Sequence, residues 1–246
     1  MLGIPETVLI LGGTREAAAL AARLTELGVS RVVTSLAGRT AAPERPSGEL
    51  RIGGFGGVAG LADFLDREGF DLLVDATHPF AAVISHNAVA AAAKANVPVV
   101  ALQRPSWKAA DGDNWRPVAS LDEACDAIPA AARAFLALGR QHIDGFAVRS
   151  DVHFILRMVD RPETALPFRS YDLVIGKPHL DPAKEAALLR EHGVTHIVCR
   201  NSGGDGAYAK LLAARDLALP VIMIERPVPP GSRSFATVDA LVAAIT

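Results

Sequence analysis

Glycines and small polar residues directly follow the first short apolar run of the chain, VLIL at residues 8–11. In order, these residues are Gly12, Gly13, Thr14, Arg15 and Glu16. Glycines let a backbone approach a pyrophosphate closely, and the helix predicted next offers free N–H groups and the positive end of its dipole. The pattern is a shortened form of the dinucleotide-binding fingerprint and favours a phosphate site. A glycine turn that only joins a strand to a helix is the alternative.

The second apolar run is followed by a hydroxyl and a guanidinium where a carboxylate is common. An NAD-binding domain usually has Asp or Glu roughly 20 residues past its glycines, where the carboxylate holds the ribose 2′-hydroxyl. This chain has Ser35, Gly38 and Arg39 there. Because a carboxylate would repel a 2′-phosphate while Ser and Arg would attract it, the segment favours NADP(H) over NAD(H). The alternative is that Arg39 is a solvated loop residue.

A glycine-rich loop surrounds Phe55 just before a helix predicted from Val58. Its glycines are Gly53, Gly54, Gly56 and Gly57. Such a loop would lie against a flat ring or let a ligand approach the backbone, and a flexible connector is the alternative. We expect Gly54, Phe55 and Gly56 to contact the cofactor.

Three polar side chains follow the apolar run DLLV. Asp75, Thr77 and His78 would lie at the carboxyl edge of a parallel sheet, where the ligands of such sheets bind. Pro79 suits the first turn of the helix predicted next, and Thr77 would cap it. Asp75 and His78 are therefore candidates for a proton donor or a partner of the nicotinamide amide, with local capping and hydrogen bonding as the alternative.

The second half of the chain repeats this logic once, after the run THIVCR. A glycine-rich turn there opens a predicted helix that carries Lys210, and amides at a helix start with a nearby lysine form an anion site. The residues of the turn are Asn201, Ser202, Gly203 and Gly204. Lys177, after the run YDLVIG, would point at the same edge and is a further candidate for binding or catalysis; a surface lysine is the alternative.

The elements that position these residues alternate along the whole chain. The predicted strands lie at residues 8–11, 31–37, 71–76, 97–102, 134–139, 152–159, 171–176, 195–200 and 219–225. The predicted helices lie at residues 15–27, 58–68, 80–95, 121–128, 181–192, 206–217 and 238–245, and Asp181 and Pro182 suit the N-cap and first position of one of them. Short apolar runs separated by helices indicate parallel sheets covered on both faces.

One segment breaks the alternation. Residues 104–117 hold both tryptophans, two prolines and a DGDN cluster, a composition typical of a domain crossover. We therefore predict an α/β protein of two parallel-sheet domains, residues 1–112 for the dinucleotide and 113–246 for the substrate, with a ligand cleft between them.

Composition excludes several classes of protein. The formal net charge of −2 argues against a general nucleic-acid binder. Of the 25 cations, 20 are Arg, which suits carboxylate or phosphate ligands, although codon usage explains the excess equally well. Cys125 and Cys199 lie too far apart for a disulfide framework, and no His, Cys, Asp or Glu cluster has metal-site spacing. Without a signal peptide or an apolar run of roughly 20 residues, we expect a cytoplasmic protein with no membrane partner.

Several of these motifs together resemble the precorrin-6A reductase family of cobalamin biosynthesis. The segments that carry the resemblance are GGTREA (12–17), SLAGR (35–39), GGFGG (53–57), DATHPFA (75–81), RPSW (104–107), NSGGDGAYAKL (201–211) and LPVIMIERP (219–227). The combination of DATHPFA with NSGG and its following lysine is specific, and the likeness covers essentially the whole chain. The chain departs from the family pattern at Arg200, where Lys is common, and at Lys177-Pro178-His179.

The resemblance implies an α/β protein of two Rossmann-like parallel-sheet domains with a ligand cleft between them, residues 1–112 for NADPH and 113–246 for the substrate. It also implies an oxidoreductase that uses NADPH to reduce one ring double bond of the corrin precursor precorrin-6A, giving precorrin-6B. The substrate is a flat, tetrapyrrole-derived ring that bears acetate and propionate arms. The implied cofactor contacts are Gly12, Gly13, Thr14, Arg15, Glu16, Ser35, Gly38, Arg39, Gly54, Phe55, Gly56, Thr77 and His78. The implied substrate contacts are Lys177, Asn201, Ser202, Gly203, Gly204 and Lys210, and the candidate catalytic residues are Asp75, His78 and Lys177.

Two other functions stay open on the sequence. One is an NADP-dependent reductase of a smaller carboxylate substrate, and the other is a non-catalytic NADP-sensing protein. For each we expect no metal, no nucleic-acid partner and a monomer or weak homo-oligomer.

Overall fold

The computed structural model describes residues 4–38 and 45–246 and divides them into two compact units. Unit 1 comprises residues 4–105 and 227–246, and unit 2 comprises residues 106–226. The prediction had one boundary, between residues 112 and 113, whereas the structure has two, between residues 105 and 106 and between residues 226 and 227. The physical reason is that the end of the chain returns to unit 1 and pairs with its sheet.

Twelve strands, seven α-helices and two 3₁₀ helices form within the two described stretches. The strands are β1 (Thr7–Leu11), β2 (Arg31–Leu36), β3 (Glu49–Ile52), β4 (Leu72–Asp75), β5 (Val99–Leu102), β6 (Trp115–Val118), β7 (Arg133–Ala137), β8 (His153–Met158), β9 (Tyr171–Ile175), β10 (His196–Arg200), β11 (Val221–Ile224) and β12 (Arg233–Phe235). The α-helices are α1 (Arg15–Glu26), α2 (Gly57–Glu68), α3 (Ala82–Ala95), α4 (Leu121–Asp126), α5 (Pro182–Glu191), α6 (Ala209–Asp216) and α7 (Val238–Ile245). The 3₁₀ helices span Arg140–His142 and Asp144–Val148.

Each unit holds one six-stranded parallel sheet. The sheet of unit 1 has the Rossmann strand order 3-2-1-4-5-6, and the sheet of unit 2 has the same arrangement except that its sixth place is taken by a strand that comes first in the chain. In unit 1 the order is β3-β2-β1-β4-β5-β12, so the last strand of the chain takes the sixth place. In unit 2 the order is β9-β8-β7-β10-β11-β6, so the first strand of that unit takes the sixth place. The predicted fold class is confirmed, and the cleft between the domains stays a prediction.

Helices cover both faces of the first sheet, because its central strand is apolar on both sides. Val8 and Ile10 of β1 pack with α1 and α7, whereas Leu9 and Leu11 pack with α2 and α3. This alternation is the period of two that a strand imposes. In unit 2, α5 and α6 pack on one face of β7, β10 and β11. No helix of the described residues is both long and apolar enough to cross a membrane.

All seven predicted helices are confirmed, and the N-cap of α5 is Asp181, whose carboxylate accepts from the Ala183 amide at 2.9 Å. Three strands, β3, β6 and β12, are absent from the prediction. All three lie at a sheet edge and keep most side chains half-buried or exposed, so no apolar run marks them. β6 also contains Pro117, which a sheet accepts at its edge.

Candidate functional site

The loop between β1 and α1 contains two glycines that are needed for different reasons. A Cβ at Gly12 would lie 2.8 Å from the Thr34 Cγ2 atom, so the loop backbone packs directly against β2. Gly13 has a φ of +105°, and a Cβ there would meet no atom of residues 4–38 and 45–246 within 4 Å. The loop is therefore anchored at Gly12 and open at Gly13, as close approach of a phosphate requires.

Thr14 is the N-cap of α1 and ties this loop to the end of β4. Its hydroxyl accepts from the Ala17 amide at 3.1 Å and donates to the Ala76 carbonyl at 2.7 Å. The helix begins at the next residue, so the first-turn amides of Arg15 and Glu16 have no carbonyl four residues earlier in the helix. The hydroxyl of Thr14 is thus used within the fold, and the anion-binding capacity of the loop lies in its amides.

Glu16 places a carboxylate in the first turn of α1, where it would repel a phosphate. Arg104, which follows β5, offsets this charge by an ion pair of 2.8 Å with Glu16. Both side chains are largely buried, so water screens the pair little. Arg104 was not among the predicted site residues; the RPSW segment that contains it was only one of the segments that carry the family resemblance.

Ser35 and Gly38 lie at and beyond the carboxyl end of β2. The Ser35 carbonyl accepts from the Gly12 amide at 2.9 Å, and its hydroxyl accepts from the Arg51 Nη1 at 3.2 Å. Gly38 has a φ of +76°, and a Cβ there would lie 3.1 Å from the Ile52 Cγ2 atom. Arg39, predicted beside Ser35, lies outside the described residues.

The glycine-rich loop between β3 and α2 is held by Arg51. The Arg51 Nη1 donates to the Gly53 carbonyl at 2.6 Å, and its Nη2 donates to the Gly54 carbonyl at 2.8 Å. The guanidinium carbon lies 3.8 Å from the centroid of the Phe55 ring, and Phe55 in turn packs on Phe64 at 5.3 Å. Phe55 therefore has a packing role that the sequence pattern did not predict, while Gly54 stays exposed. Gly56 is the left-handed N-cap of α2.

The side chains after β4 bond to one another more than to the next helix. The Asp75 Oδ1 accepts from the Thr77 hydroxyl at 2.6 Å and from its amide at 3.1 Å. The prediction that Thr77 caps α3 is wrong, because α3 begins only at Ala82 after a turn and its N-cap residue makes no side-chain cap bond. Asp75 is buried, and the two hydrogen bonds from Thr77 satisfy one of its carboxylate oxygens within the fold.

His78 lies in that turn, next to the end of β4. Its Nδ1 accepts from the Phe80 amide at 3.3 Å, and the two rings lie 5.8 Å apart. With Nδ1 as an acceptor, the neutral imidazole carries its proton on Nε2. His78 can therefore hold a proton at a defined atom, beside a carboxylate that Thr77 already occupies.

In unit 2, the turn after β10 is bound tightly to the segment around Trp107. The Trp107 amide donates to the Asn201 Oδ1 at 2.8 Å, the Asn201 Nδ2 donates back to the Trp107 carbonyl at 3.1 Å, and the indole donates to the Gly204 carbonyl at 2.8 Å. Arg226 donates to the Asn201 carbonyl at 2.7 Å and to the Ser202 carbonyl at 2.9 Å. Asn201 is therefore a structural residue of the turn, and Gly203 and Gly204 both have a φ of +68°.

Lys210 points inward in this structure. Its side chain is 4% exposed, donates to the Ala207 carbonyl at 2.6 Å and lies 4.9 Å from the centroid of the Trp107 ring. Burial lowers the pKa of its ammonium group. The helix also begins later than predicted, at Ala209 rather than at residue 206. The predicted contact of Lys210 with a substrate carboxylate stays a prediction that this geometry does not favour.

Lys177 is exposed on the loop between β9 and α5, and a buried ion pair supports that loop. Arg157 of β8 and Glu185 of α5 pair at 2.9 Å, with side chains 6% and 0% exposed. The second carboxylate oxygen of Glu185 accepts from the His179 amide at 2.9 Å, two residues beyond Lys177. The sequence pattern did not predict this pair. The signal in the sequence was a charged residue, Arg157 or Glu185, at a position where the element around it is otherwise apolar.

Comparisons with known proteins agree over the whole chain. The model of the family described as precorrin-6x reductase CbiJ/CobK matches residues 7–246. The precorrin-6A reductase of Rhodobacter capsulatus is 48% identical over 235 residues, covering 95% of this chain and 93% of that protein. The precorrin-6A reductase of Rhodococcus erythropolis is 45% identical over 240 residues, covering 97% and 95%.

A solved structure described as CobK precorrin-6A reductase superposes with a TM-score of 0.91 at 47% identity, covering 97% of this chain and 95% of that one. These matches confirm the resemblance that the motifs after the strands indicate. The chain belongs to the precorrin-6x reductase CbiJ/CobK family.

Proposed function

We propose that this chain is a precorrin-6A reductase, which uses NADPH to reduce one ring double bond of a corrin precursor in cobalamin biosynthesis. The observation that carries the proposal is the match of residues 7–246 to the CbiJ/CobK family. Membership confirms the expected class, an NADPH-dependent oxidoreductase. The roles of individual residues are proposals, as are a cytoplasmic location and a monomeric or weakly associating state.

The described residues of unit 1 fit a dinucleotide phosphate. Gly13 leaves the backbone open, and the first-turn amides of Arg15 and Glu16 supply hydrogen-bond donors at a helix N-terminus. We assign the pyrophosphate to these groups and the 2′-phosphate to Ser35 and Arg39. Bound NADPH supplies the hydride for the reduction.

The nicotinamide end is assigned to the residues after β4. His78 has its Nδ1 occupied by the Phe80 amide, which leaves the ring proton of the neutral form on Nε2. Asp75 and Thr77 hold each other in place and so fix the strand end from which His78 extends. Reduction of a double bond needs a proton as well as a hydride, and His78 is the candidate in unit 1 that can hold one at a defined atom.

Unit 2 supplies the substrate side. Lys177 and the turn Ser202, Gly203 and Gly204 lie after β9 and β10, at the carboxyl edge where parallel sheets bind ligands. Large apolar side chains are exposed at the same edge. They are Val159, Ile175 and Leu180. An apolar surface next to a cation suits a flat ring with carboxylate arms, because the ring needs burial and the arms need charge.

Anaerobic incubation of the purified chain with NADPH and precorrin-6A tests the function. We expect loss of the nicotinamide absorbance in step with formation of a product two hydrogens heavier. A reductase of a smaller carboxylate substrate would leave precorrin-6A unchanged but oxidise NADPH with another acid. A sensing protein would bind NADPH and oxidise it with neither.

A further inference from the structure

Arg51 carries a half-buried positive charge that has no carboxylate partner within residues 4–38 and 45–246. Its three hydrogen bonds go to neutral acceptors, the Ser35 hydroxyl and the Gly53 and Gly54 carbonyls. Two other partly buried arginines of unit 1 have carboxylate partners: Arg31 pairs with Glu49 and Glu68, and Arg104 pairs with Glu16. A charge removed from water without a counter-ion is costly, and an anionic ligand would offset that cost.

The position of Arg51 says which anion this would be. Ser35 and Arg51 are direct partners in the parallel pairing of β2 and β3, near the carboxyl ends of both strands. In a dinucleotide-binding domain, the end of β2 is where the ribose 2′ position is recognised. Arg51 therefore lies one strand to the side of the residue that meets the 2′ group.

The guanidinium still has donors to offer. It has five N–H groups, and three of them make the bonds to Ser35, Gly53 and Gly54. The two that remain, on Nε and Nη2, have no hydrogen bond within residues 4–38 and 45–246, and a pair of guanidinium N–H groups forms the fork that suits two oxygens of a phosphate. The Phe55 ring, 3.8 Å below, and the two carbonyls fix the orientation of that plane.

We propose that Arg51 is a specificity-determining residue of this reductase, through which unit 1 selects the 2′-phosphate of NADPH over the 2′-hydroxyl of NADH. The inference rests on the proposed function and names a residue that the motifs after the strands did not mark. Ser35 supplies a neutral contact beside it, and Arg51 supplies a charge in addition to Arg39, which the proposed function assigns to the same phosphate.

The test is a binding measurement that needs no corrin substrate. NADPH, NADH, 2′,5′-ADP and 5′-AMP are titrated against the full chain and against Arg51→Gln, Arg51→Lys and Arg67→Gln. For Arg51→Gln we expect the affinity for NADPH and 2′,5′-ADP to fall about tenfold to hundredfold, as for a lost charged hydrogen bond, while NADH and 5′-AMP bind as before. Arg51→Lys keeps the charge but lacks the paired N–H groups of a guanidinium. Its affinity for NADPH should therefore lie between those of the wild-type chain and Arg51→Gln.

Arg67→Gln is the matched control. This arginine belongs to the same unit and also lies over a ring, that of Phe64, but it sits at the far end of α2 and pairs with Glu68. We expect it to leave all four affinities unchanged. If Arg51 only held the glycine loop in shape, NADPH and NADH would weaken together in Arg51→Gln, and the proposal would be overturned.

Two further outcomes also decide the question. Retention of the full NADPH preference in both Arg51 variants, with its loss in Arg39→Gln alone, would place the selecting charge at Arg39 and overturn the proposal. If Arg51→Gln does not fold, the NADPH to NADH ratio of Arg51→Lys decides alone, and a wild-type ratio there overturns it. Failure of the reductase function shows separately, as a wild-type chain that binds NADPH but does not oxidise it with precorrin-6A.

Discussion

The two sheets share one strand order but differ in the segment after the first strand of that order. In unit 1, β1 leads through Gly12 and Gly13 into α1, a helix with a side-chain cap from Thr14. In unit 2, β7 leads through Gly139 into two short 3₁₀ helices whose ends make no side-chain cap bond. Only unit 1 thus has, among the described residues, a long helix whose first-turn amides meet the switch point of the sheet. Under the proposed assignment of the pyrophosphate to unit 1, the same sheet arrangement carries a phosphate site in one unit, while the other unit lacks such a helix among its described residues.

The units also differ in how they hold the loop at the carboxyl edge. Unit 1 uses neutral donors on a buried carboxylate, Thr77 on Asp75. Unit 2 uses a buried ion pair, Arg157 with Glu185, and one nitrogen of Arg157 has no hydrogen-bond partner among the described residues. The stability of unit 2 therefore depends on the Glu185 carboxylate, because the buried Arg157 guanidinium would be costly without a counter-charge.

The largest effect we predict comes from breaking that pair. Glu185→Gln should lower the free energy of unfolding of unit 2 by about 3–5 kcal/mol, because it leaves the Arg157 guanidinium buried without a counter-charge. Trp107 and Trp115 are the two tryptophans of the chain and both belong to unit 2, so their fluorescence in urea reports this unit. NADPH affinity, a property assigned to unit 1, should not change in the folded variant.

An exposed pair that starts on the same helix is the control. Arg190 and Asp216 lie 3.2 Å apart with side chains 60% and 67% exposed, so Asp216→Asn should cost less than about 1 kcal/mol. Equal urea midpoints for Glu185→Gln and Asp216→Asn would mean that burial does not distinguish the two pairs, and this difference between the units would be lost.

The second prediction compares the glycines after the first strand of each sheet. Gly13 and Gly139 both have a positive φ, and a Cβ on either would meet no atom of the described part of the chain within 4 Å. Alanine at each site should therefore cost a similar backbone strain of about 1–2 kcal/mol. Only Gly13→Ala should also raise the Kd for NADPH, by about tenfold or 1.4 kcal/mol, because its Cβ would occupy the open surface of the phosphate loop. Fluorescence titration of both variants measures this, and equal Kd values would remove the assignment of the pyrophosphate to unit 1.

Much of this architecture is predictable from the sequence, and the failures have one physical cause. A central strand such as β1 is buried on both faces, so its residues are nearly all apolar and the strand can be recognised in the sequence as an apolar run. An edge strand is half exposed, and β6 and β12 keep Arg116 and Arg233 in their short sequences. Both strands occupy the sixth place of a sheet. The local pattern could therefore not predict that β6 joins the sheet of unit 2 while β12, near the end of the chain, joins the sheet of unit 1.

The site was predictable at the level of loops and less so at the level of side chains. The position of Gly12 and Gly13 follows from a strand, a turn and a helix, which are local. Whether Lys210 points outward depends on the Trp107 ring and the Ala207 carbonyl beneath it, which only the folded chain brings together. Arg51 was missed for another reason, because it lies on the edge strand β3, which was not predicted.

The third prediction compares helix caps in the two units. Thr14 caps α1 and Ser120 caps α4 by the same bond, from the amide three residues on, at 3.1 and 3.0 Å. Each alanine variant should lose about 1 kcal/mol of stability in thermal unfolding followed by circular dichroism. Thr14→Ala also removes the bond to the Ala76 carbonyl and should weaken NADPH binding, whereas Ser120→Ala should not. Thr14→Ser should restore both properties, and NADPH binding unaffected by Thr14→Ala would contradict the role of this cap in shaping the site.

The smallest effect concerns an aspartate at the amino edge of each sheet. Asp71 in unit 1 accepts from the amides of Glu6 and Thr7, which are neutral at every pH. Asp172 in unit 2 instead lies 3.1 Å from the His153 Nε2, 3.3 Å from the His192 Nδ1 and 3.0 Å from an Arg133 nitrogen. The contact with His153 lowers the pKa of the Asp172 carboxyl more than burial raises it, and His192 lowers it further.

A lowered pKa in the folded state means that ionised Asp172 stabilises unit 2 at pH values above the ordinary aspartate pKa of about 3.9, and that this stabilisation is lost as the pH falls through the lower folded value. The unfolding free energy of the wild-type chain, followed by tryptophan fluorescence, should therefore exceed that of Asp172→Asn at about pH 5. Below about pH 4 the difference should shrink. Because the side chain is 39% exposed, solvent screens the contacts and the difference should stay below about 1 kcal/mol. A difference that does not change between about pH 3 and pH 5 would mean that the contacts of Asp172 do not depend on its ionisation, and the prediction would be wrong.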